Sequence, residues 1–156
     1  MALWSLPFYI RAGKCLPLTC TEVLVRLRQP PTMYQVLDLK SNHYRMRISP
    51  NIEFAVCTNI ISPTDELISI PNEIVGSRHP TANEMGPYER LLGDAMAGDT
   101  TLFAREDYIE EAWRIVDSVL KAGTPVYEYE PKTWGPKEAE QQVTPPGGWH
   151  NPVMNS

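Results

Sequence analysis

The sequence predicts an α+β fold: an antiparallel β-sheet with helices on one face. Three observations predict it. Segments with period-two alternation come first, segments with a helical apolar stripe come second, and a segment rich in Pro and Gly comes last. The strand and helix patterns do not alternate, so a parallel βαβ sheet is not expected. The chain has 156 residues, of which 42% are hydrophobic. That is enough for one domain with a moderate core, so residues 1–156 are read as a single domain.

The first strand pattern is Pro7-Phe8-Tyr9-Ile10-Arg11. Because it lies almost at the start, the chain reads as an internal piece of a longer polypeptide. From Cys20 to Arg28, Thr21, Val23, Val25 and Leu27 face one way, while Glu22, Leu24, Arg26 and Arg28 face the other. Pro30-Pro31 ends this strand, and a connector of mixed character runs from Thr32 to Asn42. Tyr44, Met46 and Ile48 then alternate with Arg45, Arg47 and Ser49. Pro50-Asn51 is a tight joint before a third strand from Glu53 to Ile60, so these two strands form an antiparallel hairpin. Pro63-Thr64-Asp65 is a turn, and Glu66 to Val75 is a weaker strand interrupted by Pro71.

Beyond this point the period changes. Thr81-Ala82-Asn83-Glu84 has the spacing of a capping box, and Pro87 suits an early helical position. Tyr88, Leu91, Leu92, Ala95 and Met96 trace one helical face, and Gly98 stops the helix. Glu106 and Asp107 fall in the first turn of a second helix, where acids complement the dipole. Its stripe is Ile109, Ala112, Trp113, Val116 and Leu120, with Trp113 expected in the core, and Gly123 ends it. From Thr124 onward the chain reads as a tail that Trp134 and Trp149 anchor.

Composition excludes several functions. Net charge is −5, which argues against general nucleic-acid binding and against attraction to anionic membranes. No segment approaches the roughly 20 apolar residues of a membrane span, and Met1 to Ile10 is not a signal peptide. Cys15, Cys20 and Cys57 form a sparse, odd set that suits a reducing cytoplasm rather than a disulfide framework. His43, His79 and His150 are far apart, and no cysteine pair has ligand spacing, so no metal site is expected. No G-x-G-x-x-G follows a strand, so an N-terminal dinucleotide-binding domain is absent from this chain. No residue presents itself as a catalytic base.

Two features could bind an anion. Lys14 follows Ala12-Gly13 after the first strand pattern, which places an ammonium with three donors at a strand end. From local sequence alone, a solvated turn lysine is the commoner reading of such a residue. Arg26 and Arg28 share a strand face, as do Arg45 and Arg47. Crowded cations on neighbouring strands require acids or an anionic ligand. The acids available are Glu22, Glu53 and Asp38.

Pro7-Phe8-Tyr9-Ile10-Arg11-Ala12-Gly13-Lys14 resembles the P-F-Y-[IL]-R-[TSA]-G-K signature of glucose-6-phosphate dehydrogenases. Tyr88-Glu89-Arg90-Leu91-Leu92-Gly93-Asp94-Ala95-Met96-Ala97-Gly98-Asp99, followed by Thr100-Thr101-Leu102-Phe103, is similar to a second family segment. Ala112-Trp113-Arg114-Ile115-Val116-Asp117 and Trp134-Gly135-Pro136 resemble two more, in the family's order. The resemblance implies the C-terminal part of the family's β+α domain, whose sheet forms much of a dimer interface. It implies oxidation of glucose 6-phosphate to 6-phosphogluconolactone with NADP, in a cytoplasmic homo-oligomer. The catalytic histidine and nucleotide domain of the family lie upstream, so this chain alone is expected to be inactive. The alternative is a stand-alone, non-catalytic homologue that dimerises or binds sugar phosphate. Lys14 corresponds to a family lysine that contacts the sugar phosphate, and Thr19 stands where a second cation is usual. Arg11 and Arg47 correspond to arginines that meet a second, structural NADP in some animal-type members. Ala55 and Cys57 replace that site's Tyr and Lys, so this second nucleotide is not expected here. Glu89, Arg90 and Asp94 are expected to be structural.

Overall fold

The computed structural model describes residues 6–29, 41–63, 68–79, 81 and 84–153. Two compact units are present: Met1–His79 with Glu128–Ser156, and Pro80–Tyr127.

The first unit is built on four antiparallel strands in chain order: β1 (Thr21–Arg26), β2 (His43–Ser49), β3 (Ile52–Ile61) and β4 (Ser69–Arg78). Pro50 and Asn51 alone link β2 to β3, which sets the hairpin register at Arg47↔Glu53 and Arg45↔Ala55. The register shifts between Thr21 and Glu22 in β1, and from Glu22 onward each residue faces a β2 partner. Strand β4 pairs with β3 over its whole length, from Ile52↔Arg78 to Ile61↔Ser69. It therefore begins and ends later than the weaker strand read from Glu66 to Val75. Pro71 is accommodated on β4 because that strand is an edge of the described sheet. The turn read at Pro63-Thr64-Asp65 and the connector from Thr32 lie partly outside the described residues.

Directly opposed residues share a face, so the register sorts the side chains. Glu22, Arg26, His43, Arg45, Arg47, Glu53, Ala55, Cys57 and Glu73 fall on one face, and Val23, Val25, Tyr44, Met46, Phe54, Val56 and Ile74 on the other. The polar face is the buried one. Arg47 is 4% exposed and Arg45 5%, beside Ala55 and Cys57, whereas Phe54 is 50% exposed and Ile74 64%.

Residues 7–11 are not a strand; they run as irregular chain. The apolar run Phe8-Tyr9-Ile10 supplies a strand-like composition, but no strand among the described residues pairs with it. A third helix, α3 (Lys137–Gln142), interrupts the segment read as tail, with Pro136 as its N-cap residue.

The second unit carries α1 (Pro87–Ala97) and α2 (Glu106–Lys121). Pro87 opens α1, as its fixed φ and missing N–H favour. The carboxylate that reaches back to the helix start is Glu89, which accepts from the Gly86 N–H at 3.4 Å. Glu84 instead accepts from the Thr81 N–H at 3.3 Å, one turn ahead of the helix, so the box is displaced from its sequence position. Gly98 closes α1 at φ 72°, a left-handed value that glycine adopts freely, and its N–H meets Ala95 O. Arg90 lies 3.8 Å from Asp94 on the helix surface. In α2, Glu106 and Asp107 occupy the first turn and Lys121 the last. Trp113 is 58% exposed rather than buried. An apolar stripe marks the side that a helix can bury; whether it is covered depends on what lies against it.

Candidate functional site

Lys14 and the arginines lie in the first unit. The polar sheet face carries a chain of ion pairs. Arg45 donates from Nε to Glu73 Oε1 and from Nη2 to Glu73 Oε2, both at 3.0 Å, a bidentate pair across β3. Its Nη1 donates to Glu53 Oε2 at 3.0 Å and lies 3.6 Å from Glu22 Oε2. Arg47 donates to Glu22 Oε2 from Nε at 2.9 Å and from Nη2 at 2.8 Å. The cations that crowd this face are thus met by Glu22 and Glu53, as two of the acids proposed from sequence, and by Glu73, which was not proposed. Glu73 was missed because it lies past a proline in a weak strand pattern, and its position opposite Cys57 is a consequence of register. Asp38 is outside the described residues.

The network shapes its own protonation. The hydrogen bonds from Arg45 hold the Glu73 carboxyl below the usual carboxylate range, against the opposing effect of burial. Reciprocally, hydrogen bonding to Glu73 first, then to Glu53, raises the Arg45 guanidinium further above its ordinary value. Burial pushes the Cys57 thiol up, with the Glu73 charge adding to it, which favours the protonated form. Cys15 is exposed, and all three cysteines are free thiols.

The C-terminal segment lies on this face. Arg47 Nη2 donates to Val153 O at 2.8 Å, and His150 Nε2 lies 2.8 Å from Glu22 Oε1. Arg26 reaches the carbonyls of Pro146 and Gly148. Arg11 donates to His150 O at 3.1 Å and to Asn151 Oδ1 at 2.6 Å. Its guanidinium stands 4.5 Å from the Trp134 ring centre and 4.9 Å from that of Trp149. Tyr9 meets Trp149 edge-on at 6.2 Å, and the indole N–H donates to Val143 O. Both tryptophans therefore anchor the segment, and they do so through Arg11. Burial lowers the Arg11 guanidinium from its ordinary value, partly offset by the charge of Glu140.

Lys14 stands at the end of the same irregular segment as Arg11, with an exposed side chain. Its backbone is held: Tyr129 Oη donates to Lys14 O at 2.7 Å, and the Lys132 N–H donates to Cys15 O at 2.7 Å. Thr19 is exposed and places no charge near it. His43 opens β2 opposite Cys57, and His79 contacts Ser77 Oγ at 3.3 Å. Among the described residues no group of three His, Cys, Asp or Glu side chains could hold a metal ion. An open depression is lined by residues including Lys137, Glu140, Trp149 and Asn151; Lys14 and Arg47 do not line it.

The sheet is antiparallel throughout. The family description "Glucose-6-phosphate dehydrogenase, C-terminal domain" matches residues 3–150. The chain belongs to the glucose-6-phosphate dehydrogenase family.

Within that family it is 33% identical to glucose-6-phosphate 1-dehydrogenase of Aggregatibacter actinomycetemcomitans, over 96% of this chain and 32% of the relative. It is likewise 33% identical to the enzyme of that name from Treponema pallidum, over 95% of this chain and 31% of the relative. The crystal structure of glucose-6-phosphate 1-dehydrogenase from Mycobacterium avium superposes with a TM-score of 0.75 and 34% identity, covering 92% of this chain and 31% of that one. The chain spans about a third of the length of the curated relatives it matches, and corresponds to their C-terminal domain.

Proposed function

We propose that this chain is the substrate-side and oligomer-forming part of an enzyme that oxidises glucose 6-phosphate to 6-phosphogluconolactone with NADP. The observation that carries the reading is the family match over residues 3–150 joined to the setting of Lys14, an exposed ammonium on a held backbone. Lys14 contacts the sugar phosphate, where a lysine acts as a compact charge with three donors. Thr19 supplies a hydroxyl in place of a second cation, so Lys14 carries more of the charge on this side of the cleft. An anion that reached Arg11 or Arg47 would compete with the C-terminal segment and, at Arg47, with Glu22.

The nucleotide and the proton acceptor belong to polypeptide upstream of the matched domain. A cytoplasmic, homo-oligomeric enzyme suits the family, and no described helix is long and apolar enough to cross a membrane. The exposed apolar side of the sheet supports self-association through that sheet.

The test has two parts. This polypeptide alone is expected to give no NADP reduction with glucose 6-phosphate; turnover would overturn the division of labour. In a full-length polypeptide that carries this chain, Lys14→Ala is expected to raise KM for glucose 6-phosphate about 10-fold or more, as loss of one hydrogen bond to a charged group implies. An unchanged KM removes Lys14 from the site.

A further inference from the structure

We propose that Tyr129 is a positioning residue for Lys14: its hydroxyl, with the Lys132 N–H, clamps the loop that presents the ammonium to the sugar phosphate. The inference rests on the reading of Lys14 as a substrate contact. It adds a residue that lies 115 positions away in sequence.

Four observations meet at this loop. Tyr129 Oη donates to Lys14 O at 2.7 Å. The Lys132 N–H donates to the next carbonyl, Cys15 O, also at 2.7 Å. One short segment thus takes two consecutive carbonyls of the loop. The two residues joined by the second bond, Cys15 at φ 55° and Lys132 at φ 65°, are both left-handed non-glycine residues. Such conformations are sparsely populated and persist where surrounding contacts hold them; they recur at ligand clamps. Finally, a Cβ on Gly13 would stand 3.3 Å from Tyr129 Oη and 3.4 Å from Leu16 Cδ2. A side chain at position 13 would therefore press on the tyrosine hydroxyl.

The consequence is specific to the lysine. Its ammonium is exposed and sits on a flexible four-carbon stem, while its own carbonyl and the next one are fixed. Fixing the backbone limits the volume the ammonium explores before substrate arrives, which reduces the ordering cost of binding. The clamp acts on affinity for the phosphate-bearing substrate and leaves the reacting carbon alone.

The experiment uses a full-length polypeptide that carries this chain. Tyr129→Phe keeps the ring and removes the donor. It is expected to raise KM for glucose 6-phosphate about 3- to 10-fold, with kcat and the nucleotide KM within about two-fold. The same substitution in a Lys14→Ala background is expected to add less than about two-fold, because the lysine it positions is gone. Gly13→Ala, which crowds the hydroxyl, is expected to raise the same KM and serves if Tyr129→Phe does not fold. If Lys14→Ala raises KM while Tyr129→Phe and Gly13→Ala do not, the clamp is overturned and the lysine reading stands. An equal effect of Tyr129→Phe in both backgrounds also overturns the clamp. If Lys14→Ala itself changes nothing, the reading of Lys14 fails first and takes the clamp with it.

Discussion

The two faces of the four-stranded sheet invert the usual arrangement. On one face Arg45 and Arg47 are almost fully buried among Glu22, Glu53 and Glu73; on the other, Tyr44, Phe54, Ile60 and Ile74 are exposed. Charged residues are rarely buried unless paired, and contiguous exposed apolar patches mark surfaces that meet something else. The charged face is complete because the chain supplies its counter-charges and its covering segment. The apolar face stays exposed among the described residues. Burial thus reports which contacts this chain makes by itself, and hydropathy reports which surface is left to make others.

The largest effect is expected where a buried charge loses the guanidinium that hydrogen-bonds it. Arg47→Ala should destabilise the first unit by about 3 kcal/mol in a urea melt, because Glu22 loses both hydrogen bonds from that guanidinium. Phe54→Ser on the other face should cost far less. Equal costs would end the contrast between the faces.

Self-association sharpens the contrast next. Light scattering at micromolar concentration should show oligomers of the native chain, and Ile74→Asp should shift them toward monomer. A native chain that is already monomeric would remove the apolar face from the interface.

Acid provides a smaller, graded effect on the charged face. The folded-state pKa of Glu73 lies below its unfolded value. Its contribution to stability is therefore full above the ordinary glutamate range and is lost as pH falls through the depressed value. Glu73→Gln should flatten the fall in melting temperature below about pH 4.5 and change the neutral-pH slope little. An acid limb of unchanged steepness would disconnect Glu73 from it. The smallest effect belongs to the helical unit, where Arg114 and Glu111 pair on open surface. Arg114→Ala should leave the melting midpoint unchanged within error, as exposed pairs usually do.

Much of the fold was legible locally. Alternation around Tyr44–Ile48 and Glu53–Ile60, with Pro50-Asn51 between them, describes a hairpin because side-chain direction on a strand has a period of two. Pro87, Gly98 and Gly123 bound the helices because their backbone preferences are intrinsic. Local reasoning failed where no local preference decides. Residues 7–11 have the apolar make-up of a strand but no pairing neighbour among the described residues. The stretch from Lys137 to Gln142 is too short to show an apolar stripe, although Pro136 followed by good helix formers was a usable signal.

The candidate site divides in the same way. Lys14, Arg11 and Arg47 were visible as residue types in a recognisable order, and Glu22 and Glu53 as nearby acids. The bidentate Glu73 partner, the His150 contact with Glu22 and the hydroxyl of Tyr129 on the Lys14 carbonyl were not, because each joins segments far apart in the chain.

By itself the sequence determined the order of the hairpin strands and of the two longer helices, the two periodicities, the family and the identity of the charged groups. These follow from intrinsic backbone preference and side-chain chemistry, which act over a few residues. Only the tertiary structure decided which face is buried, which carboxylate meets which guanidinium and which segment holds the lysine loop. Those outcomes depend on register and on chain crossings between distant segments, and a one-residue slip of a strand would turn all of that strand's side chains to the opposite face.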